Sequence, residues 1–164
     1  MMYAKSTDNI VYQAVERFIK KWNEPSFLPY INHSGYEAIG YNHIIRKGEE
    51  HLKKGLTPIM AEKLLREDIE RAIQVVDETI PMEIELGIDA FIALVSLAFC
   101  ITPDLFRYSK VTEFTRVKRY DKAAKSFINH NMSRMEHGYV ESYSLTKLRK
   151  EEAELYKRGM NGNY

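Results

Sequence analysis

The residues best suited to chemistry gather in one stretch, NEPSFLPYINHSGYEAIGYNH, running from Asn23 to His43. It holds the carboxylates Glu24 and Glu37, the imidazoles of His33 and His43, and the amides Asn23, Asn32 and Asn42. A carboxylate or an imidazole can move a proton near neutral pH, whereas a carboxamide forms hydrogen bonds but holds no transferable proton. Elsewhere the chemistry is sparse. The single cysteine, Cys100, lies in the apolar run AFIALVSLAFCI, which rules out an intramolecular disulfide and predicts a buried structural thiol. No base is arranged to make it a nucleophile. The histidines, His33, His43, His51, His130 and His137, include no i,i+4 pair on a helix with a nearby acid, so no metal site is expected, and no cofactor is implied.

The elements that must position these groups are mostly helices. Val11 to Trp22 places Val11, Ala14, Val15, Phe18, Ile19 and Trp22 on one stripe at helical spacing. Pro25 and Pro29 end that pattern, since proline lacks an amide hydrogen and clashes with a preceding turn. From Tyr30 to Ile45 the glycines and the alternation predict a small β-ribbon. Thr57-Pro58 reads as an N-cap followed by a first-turn proline. The helix after it carries Ile59, Met60, Leu64, Ile69, Ala72, Ile73 and Val76 on one face, with Glu62–Arg66 and Glu67–Arg71 as i,i+4 pairs on the wet side. A hydrophobic central helix is expected over about Glu83 to Cys100, broken by Thr102-Pro103-Asp104. Shorter helices follow near Val111–Arg119, Asp121–His130 and Leu145–Arg158. Met60, Met132 and Met135 read as core filler, and the tail from Gly159 to Tyr164 is expected to fray.

At 164 residues, with 45% hydrophobic and 29% charged positions, the chain suits one globular domain with its own core. The net charge of +1 conceals an asymmetry: residues 1–104 hold 11 Lys/Arg against 16 Asp/Glu, and residues 105–164 hold 13 against 7. The basic half could face an anionic polymer, or it could simply be the solvated faces of the last helices. Nucleic acid has no supporting motif: no zinc-ligand spacing, no aromatic RNA-binding signature and no long basic run. The start, MMYAKSTDNIVYQAVERF, has no apolar h-region, so synthesis in the cytoplasm without an export signal is expected. The run from Ala90 to Ile101 is too short to span a bilayer, and no membrane span is expected.

This order of elements resembles the phage-type lysozymes, glycoside hydrolase family 24. Their motif reads approximately E-G-x-x-L-x-x-Y-x-D-x-x-G-x-x-T-I-G-Y-G-H, and Tyr30, Gly35, Ile39, Gly40, Tyr41 and His43 fall on it without a gap. GLTPIMAEKLLREDIERAI resembles the threonine-led helix of the family, ALVSLAFCI its core helix, and SLTKLRKEEAELY loosely its closing segment. The resemblance covers about residues 11–158. It implies an α+β, mostly α, two-lobed fold. A small β-ribbon lobe spans about 23–58, and a larger helical lobe spans about 81–158 with the N-terminal helix, around a buried central helix. It also implies that Asp68 pairs with His43 and ties the lobes through a charge-assisted hydrogen bond.

The departures carry the functional expectation. By resemblance, the general acid, the water-directing aspartate and the threonine of active members fall on Asn23, Asn32 and Ala38. Glycoside hydrolysis needs one carboxyl to give a proton and a second to stabilise or activate on the far side, so no intact catalytic set remains. Glu24 and Glu37 are the possible substitutes. One step along a helix turns a side chain by about 100°, and one step along a strand moves it to the other face. Three further cleft positions differ from the family: Asn42 and Thr102 replace glycines and Cys100 replaces a polar amide. The helical-lobe tryptophan has no counterpart, with Tyr139 and Tyr143 as the nearest aromatics, either lining the cleft or capping the helical lobe. The implied reading is an inactive lysozyme homologue that works by binding, in the host cytoplasm or a phage particle. A protein partner, including a virion role, is expected ahead of peptidoglycan because the cleft tryptophan is absent and the Cys100 and Thr102 positions are altered. A muramidase relying on Glu24 or Glu37 is the remaining alternative.

Overall fold

The computed structural model describes residues 9–161. The expectations for residues 1–8 and 162–164 lie outside them. Helix α1 (Asn9–Trp22) buries Val11, Tyr12, Val15 and Ile19 and ends three residues before Pro25. Three antiparallel strands follow, β1 (Ser26–Ile31), β2 (Glu37–Gly40) and β3 (His43–Ile44), in spatial order β1-β2-β3. Pro29 falls inside β1 rather than merely closing α1. A strand can hold a proline there because β1 lies at the edge of the sheet and its register slips between Ser26 and Tyr30.

A 3₁₀ turn (Glu50–Lys54) leads into α2 (Pro58–Thr79), the long helix that joins the lobes. Thr57 caps it as expected, its hydroxyl accepting from the Met60 amide at 3.2 Å. Its first turn is wetter than the apolar stripe predicts, with Ile59 83% and Met60 39% exposed. The expected i,i+4 pairs are replaced by others: Arg66 binds Glu70, Arg71 binds Asp68, and Glu62 reaches Lys20 and the Tyr41 hydroxyl. Lys20 of α1 claims Glu62, and within α2 Arg66 and Arg71 turn to Glu70 and Asp68 instead.

The central helix α3 (Ile88–Cys100) buries every residue from Ala90 to Ala98. It begins five residues later than Glu83. Gly87 stays extended as its N-cap and donates its amide to the Gly159 carbonyl at 3.0 Å. Four shorter segments wrap it: α4 (Pro103–Arg107), α5 (Lys110–Arg116), α6 (Tyr120–Ser126) and a 3₁₀ turn (Phe127–His130). Residues 132–141, which carry no helix or strand signal strong enough to predict, form a hairpin of β4 (Met132–Met135) and β5 (Gly138–Glu141) with a two-residue turn. Helix α7 (Tyr143–Met160) closes the lobe against α3. One large apolar core unites α1, α2, α3 and α5–α7, and a small one under the sheet is built from Ile39, Leu52, Leu56 and Ala61. Met132 and Met135 are 43% and 57% exposed and fill no core.

The expected fraying from Gly159 onward is corrected: Gly159 and Met160 belong to α7, and Met160 is fully buried. α7 crosses the start of α3 so closely that a Cβ at Gly159 would lie 2.1 Å from the Ala90 nitrogen and one at Gly87 2.4 Å from the Gly159 carbonyl oxygen. Two side-chain-free positions therefore form the crossing point. Gly159→Ala should lower the unfolding free energy by about 2 kcal/mol through overpacking, while Asn161→Ala, just past the helix, should change it by less than about 0.5 kcal/mol. Urea midpoints of the two variants check this, since a frayed tail would leave both neutral.

Candidate ligand-binding cleft

Between the lobes lies a cleft of about 1290 Å³, lined by the end of α1, the β1–β2 turn, α2, the end of α3 and the β4–β5 hairpin. The residues singled out from the sequence reach it unequally. Asn23, Glu24, Asn32, Asn42, Asp68, Cys100 and Thr102 line it; Glu37, Ala38 and His43 do not.

Asn23 follows the last residue of α1, and its side-chain amide donates to the Ile19 carbonyl at 2.8 Å, closing the helix end. Asn32 holds the β1–β2 turn. Its Oδ1 accepts from the Ser34 and Tyr36 amides, both at 3.0 Å, and its Nδ2 donates to Asn42 Oδ1 at 3.0 Å. Asn42 takes φ of +63°, a left-handed conformation that asparagine tolerates better than most residues. Burial raises the Tyr30 pKa, against the opposing pull of the Asn42 backbone. Ala38 is fully buried in β2, opposite Tyr30 and Ile44, where its methyl faces the sheet interior rather than solvent. Glu37, its neighbour, points away and pairs with Lys53 at 2.7 Å. Thr102 caps α4, its hydroxyl accepting from the Leu105 amide at 3.3 Å.

His43 is 2% exposed and stands between two carboxylates, with Nδ1 2.7 Å from Asp68 and Nε2 3.0 Å from Glu49. Asp68 also receives Arg71 at 2.7 Å. Burial disfavours the imidazolium, but Asp68 and Glu49 outweigh it and hold the His43 pKa above the usual histidine value. Glu49 was invisible as a partner in the sequence, because it lies six residues on in an irregular loop. On the opposite wall, burial first and the Arg149 guanidinium second lower the His130 pKa to about 4. Burial also pushes the Cys100 thiol up, against the opposing pull of Arg149. Such a thiol stays protonated and is a poor nucleophile.

Among the described residues lining the cleft, Glu24 and Asp68 are the only carboxylates, and Asp68 is committed to His43 and Arg71. Glu24 therefore has no free acid facing it. Aromatic rings are plentiful instead: Trp22, Tyr30, Tyr36, Phe99 and Tyr139 all contribute. Tyr143 does not; it is 77% exposed beneath Lys147. Trp22, which reads from its spacing as a core residue of α1, sits at the helix end with its Nε1 buried and without a hydrogen-bond partner among the described residues. The hairpin crosses to the other lobe here. The Arg134 amide donates to the His33 carbonyl at 2.6 Å, and His33 Nδ1 meets Ser133 Oγ at 3.1 Å. No group of three or more metal-binding side chains occurs among the described residues, and no described helix is long and apolar enough to cross a membrane.

Comparison with known proteins turns on one match: the model of the phage lysozyme family covers residues 12–152. The chain belongs to the phage lysozyme family. Among relatives of this lysozyme-family chain is the endolysin of Bacillus phage B103, 28% identical over 128 residues, which are 78% of this chain and 46% of that protein. The chain thus spans about half the length of the curated relative it matches. Among solved structures, the muramidase domain of SpmX from Asticaccaulis excentricus superposes with a TM-score of 0.71 at 22% identity, covering 93% of this chain and 98% of that one. The endolysin from Escherichia coli O157:H7 phage FAHEc1 gives 0.69 at 20% identity, covering 95% and 96%. Both share the lysozyme fold described above.

His43, buried behind the cleft-lining Asp68, and His130, which lines the cleft, should drive stability in opposite directions with pH. A folded pKa above the unfolded one means that His43 contributes fully below about pH 6.5 and loses its contribution as pH rises through its folded value. His43→Gln should therefore cost about 2 kcal/mol at pH 6 and less at pH 9. His130, lowered to about 4, contributes above the ordinary histidine range and loses it as pH falls toward 4, so His130→Gln should flatten the acid side. Urea unfolding across pH checks both slopes.

Proposed function

We propose that this chain is a catalytically silent phage lysozyme homologue whose cleft binds peptidoglycan glycan without cutting it. One observation carries the reading. The side chains of Asn23 and Asn32 are amides already committed to structural hydrogen bonds, and no free carboxylate faces Glu24 across the cleft. Hydrolysis of a glycosidic bond needs a proton donor and an opposing carboxylate acting together. Losing acid–base assistance alone costs about 10²–10⁴-fold in rate.

Binding needs less. Sugar rings offer apolar faces and a fringe of hydroxyls, and this cleft offers aromatic rings together with the side-chain amides of Asn42 and Asn129. The expectation of a protein partner leaned on missing stacking rings. Trp22 and the four other aromatic side chains in the cleft remove that support and favour the glycan. A protein partner remains a second reading, favoured by the solvent-facing Met132, Met135, Tyr139 and Val140 of the hairpin, which are 43–61% exposed.

The test uses purified protein with isolated cell-wall sacculi, followed by sedimentation and by turbidity. The protein should sediment with the sacculi and leave their turbidity unchanged, and Trp22→Ala should weaken the association about tenfold, or about 1.4 kcal/mol. Clearing by the unaltered protein that vanishes in Glu24→Gln would overturn the silent reading. Failure to sediment, together with recovery of a stable protein partner from lysate, would favour the second.

A further inference from the structure

We propose that the corner formed by α4, α5 and α6 is a docking surface for an anionic lipid bilayer, separate from the cleft and independent of what the cleft binds. The basic excess of the C-terminal half concentrates here. Between residues 116 and 125 stand Arg116, Lys118, Arg119, Lys122 and Lys125 against one acid, Asp121. All five cations are exposed, and none forms an ion pair among the described residues. By contrast, the neighbouring Arg107 and Lys110 are neutralised by Glu78, Asp104 and Glu113.

The side chains are held on one corner. The Arg116 guanidinium reaches the Arg107 carbonyl at 3.4 Å, beside Tyr108, and the Lys122 ammonium sits 5.8 Å over the Phe114 ring, whose backbone carbonyl accepts the Arg119 amide at 2.8 Å. Lys125 follows Lys122 by three residues, so both lie on one face of α6.

Charge alone fits any polyanion, and the apolar side chains decide between them. Tyr108 and Val117 are 82% and 61% exposed on the same corner, just past the ends of α4 and α5. A soluble chain of phosphates offers nothing to such groups. The boundary between headgroups and acyl chains accepts an aromatic and aliphatic tip while its anionic headgroups meet the surrounding lysines and arginines. The seat is therefore peripheral and salt-sensitive, with no inserted helix.

Co-sedimentation with phosphatidylglycerol-containing vesicles, with pure phosphatidylcholine vesicles, and a binding assay with soluble inorganic polyphosphate test the proposal. The protein should partition onto the phosphatidylglycerol vesicles, ignore the phosphatidylcholine ones and leave the former as salt is raised. The combined Lys118→Glu, Lys122→Glu and Lys125→Glu variant should lose about 100-fold in partitioning, roughly a factor of five for each lysine. The pair Tyr108→Ser and Val117→Ser should weaken vesicle binding about tenfold and leave polyphosphate binding unchanged. These positions are exposed, and circular dichroism with urea midpoints verifies that each variant folds. Equal partitioning onto both vesicle types, or no partitioning, overturns the proposal. So does unaltered vesicle binding in the Tyr108/Val117 variant, which assigns the corner to a soluble polyanion such as nucleic acid or a wall polymer.

Discussion

The helical side of the cleft is built around the ion pair of Arg149 and Glu152. Both are enclosed, at 1% and 0% exposure, and such charges are costly to remove from water unless every lone pair and proton finds a partner. Here they do. Arg149 Nη1 reaches the Glu152 carboxylate at 2.7 Å, Ser96 of α3 donates to the same carboxylate at 2.6 Å, and Arg149 Nε donates to the His130 carbonyl at 2.9 Å. Three segments, α3, α7 and the 3₁₀ turn at 127–130, are thus fixed at one point just behind the cleft wall. The positions of Cys100, His130 and the start of the hairpin follow from it.

The same guanidinium sets the electrical character of that wall. It opposes a proton on His130 and eases the Cys100 thiol against the dominant effect of burial. Across the cleft the arrangement is reversed, with His43 held between two acids. The wall bearing His130 therefore rejects positive charge, while behind the other a buried histidine is held by acids that favour it. Neither wall offers the loosely held, opposed carboxylates that sugar hydrolysis draws on.

Much of the fold was legible because it rests on local signals: the apolar stripe of α1, the Thr57-Pro58 start of α2, the all-apolar α3 and the glycine-spaced ribbon. The frame of the motif also located Asn23, Asn32, Asn42, Cys100 and Thr102, all of which line the cleft. What escaped depended on contacts distant in sequence. Trp22 has the spacing of a core residue, and only its place at the end of α1 brings it to the cleft edge. The hairpin at 132–141 has four-residue strands that are weak in isolation, and it is secured by Asn131 and by His33 from the other lobe. Gly87 and Gly159 look like punctuation, and their role appears only where two helices meet. Asn42 shows the opposite case, a departure from a glycine pattern that costs little because its side chain and its left-handed backbone both find use.

The backbone bond between Arg134 and His33 has a consequence for traffic through the groove. Lobes joined only by a long helix can swing apart and take in a polymer broadside. A second fastening across the mouth turns the trench into an archway at that point, with the turn at 33–35 and the hairpin as its two piers. A linear polymer lying beneath, such as the glycan proposed above, would have to be threaded from a free end unless the keystone were first lifted.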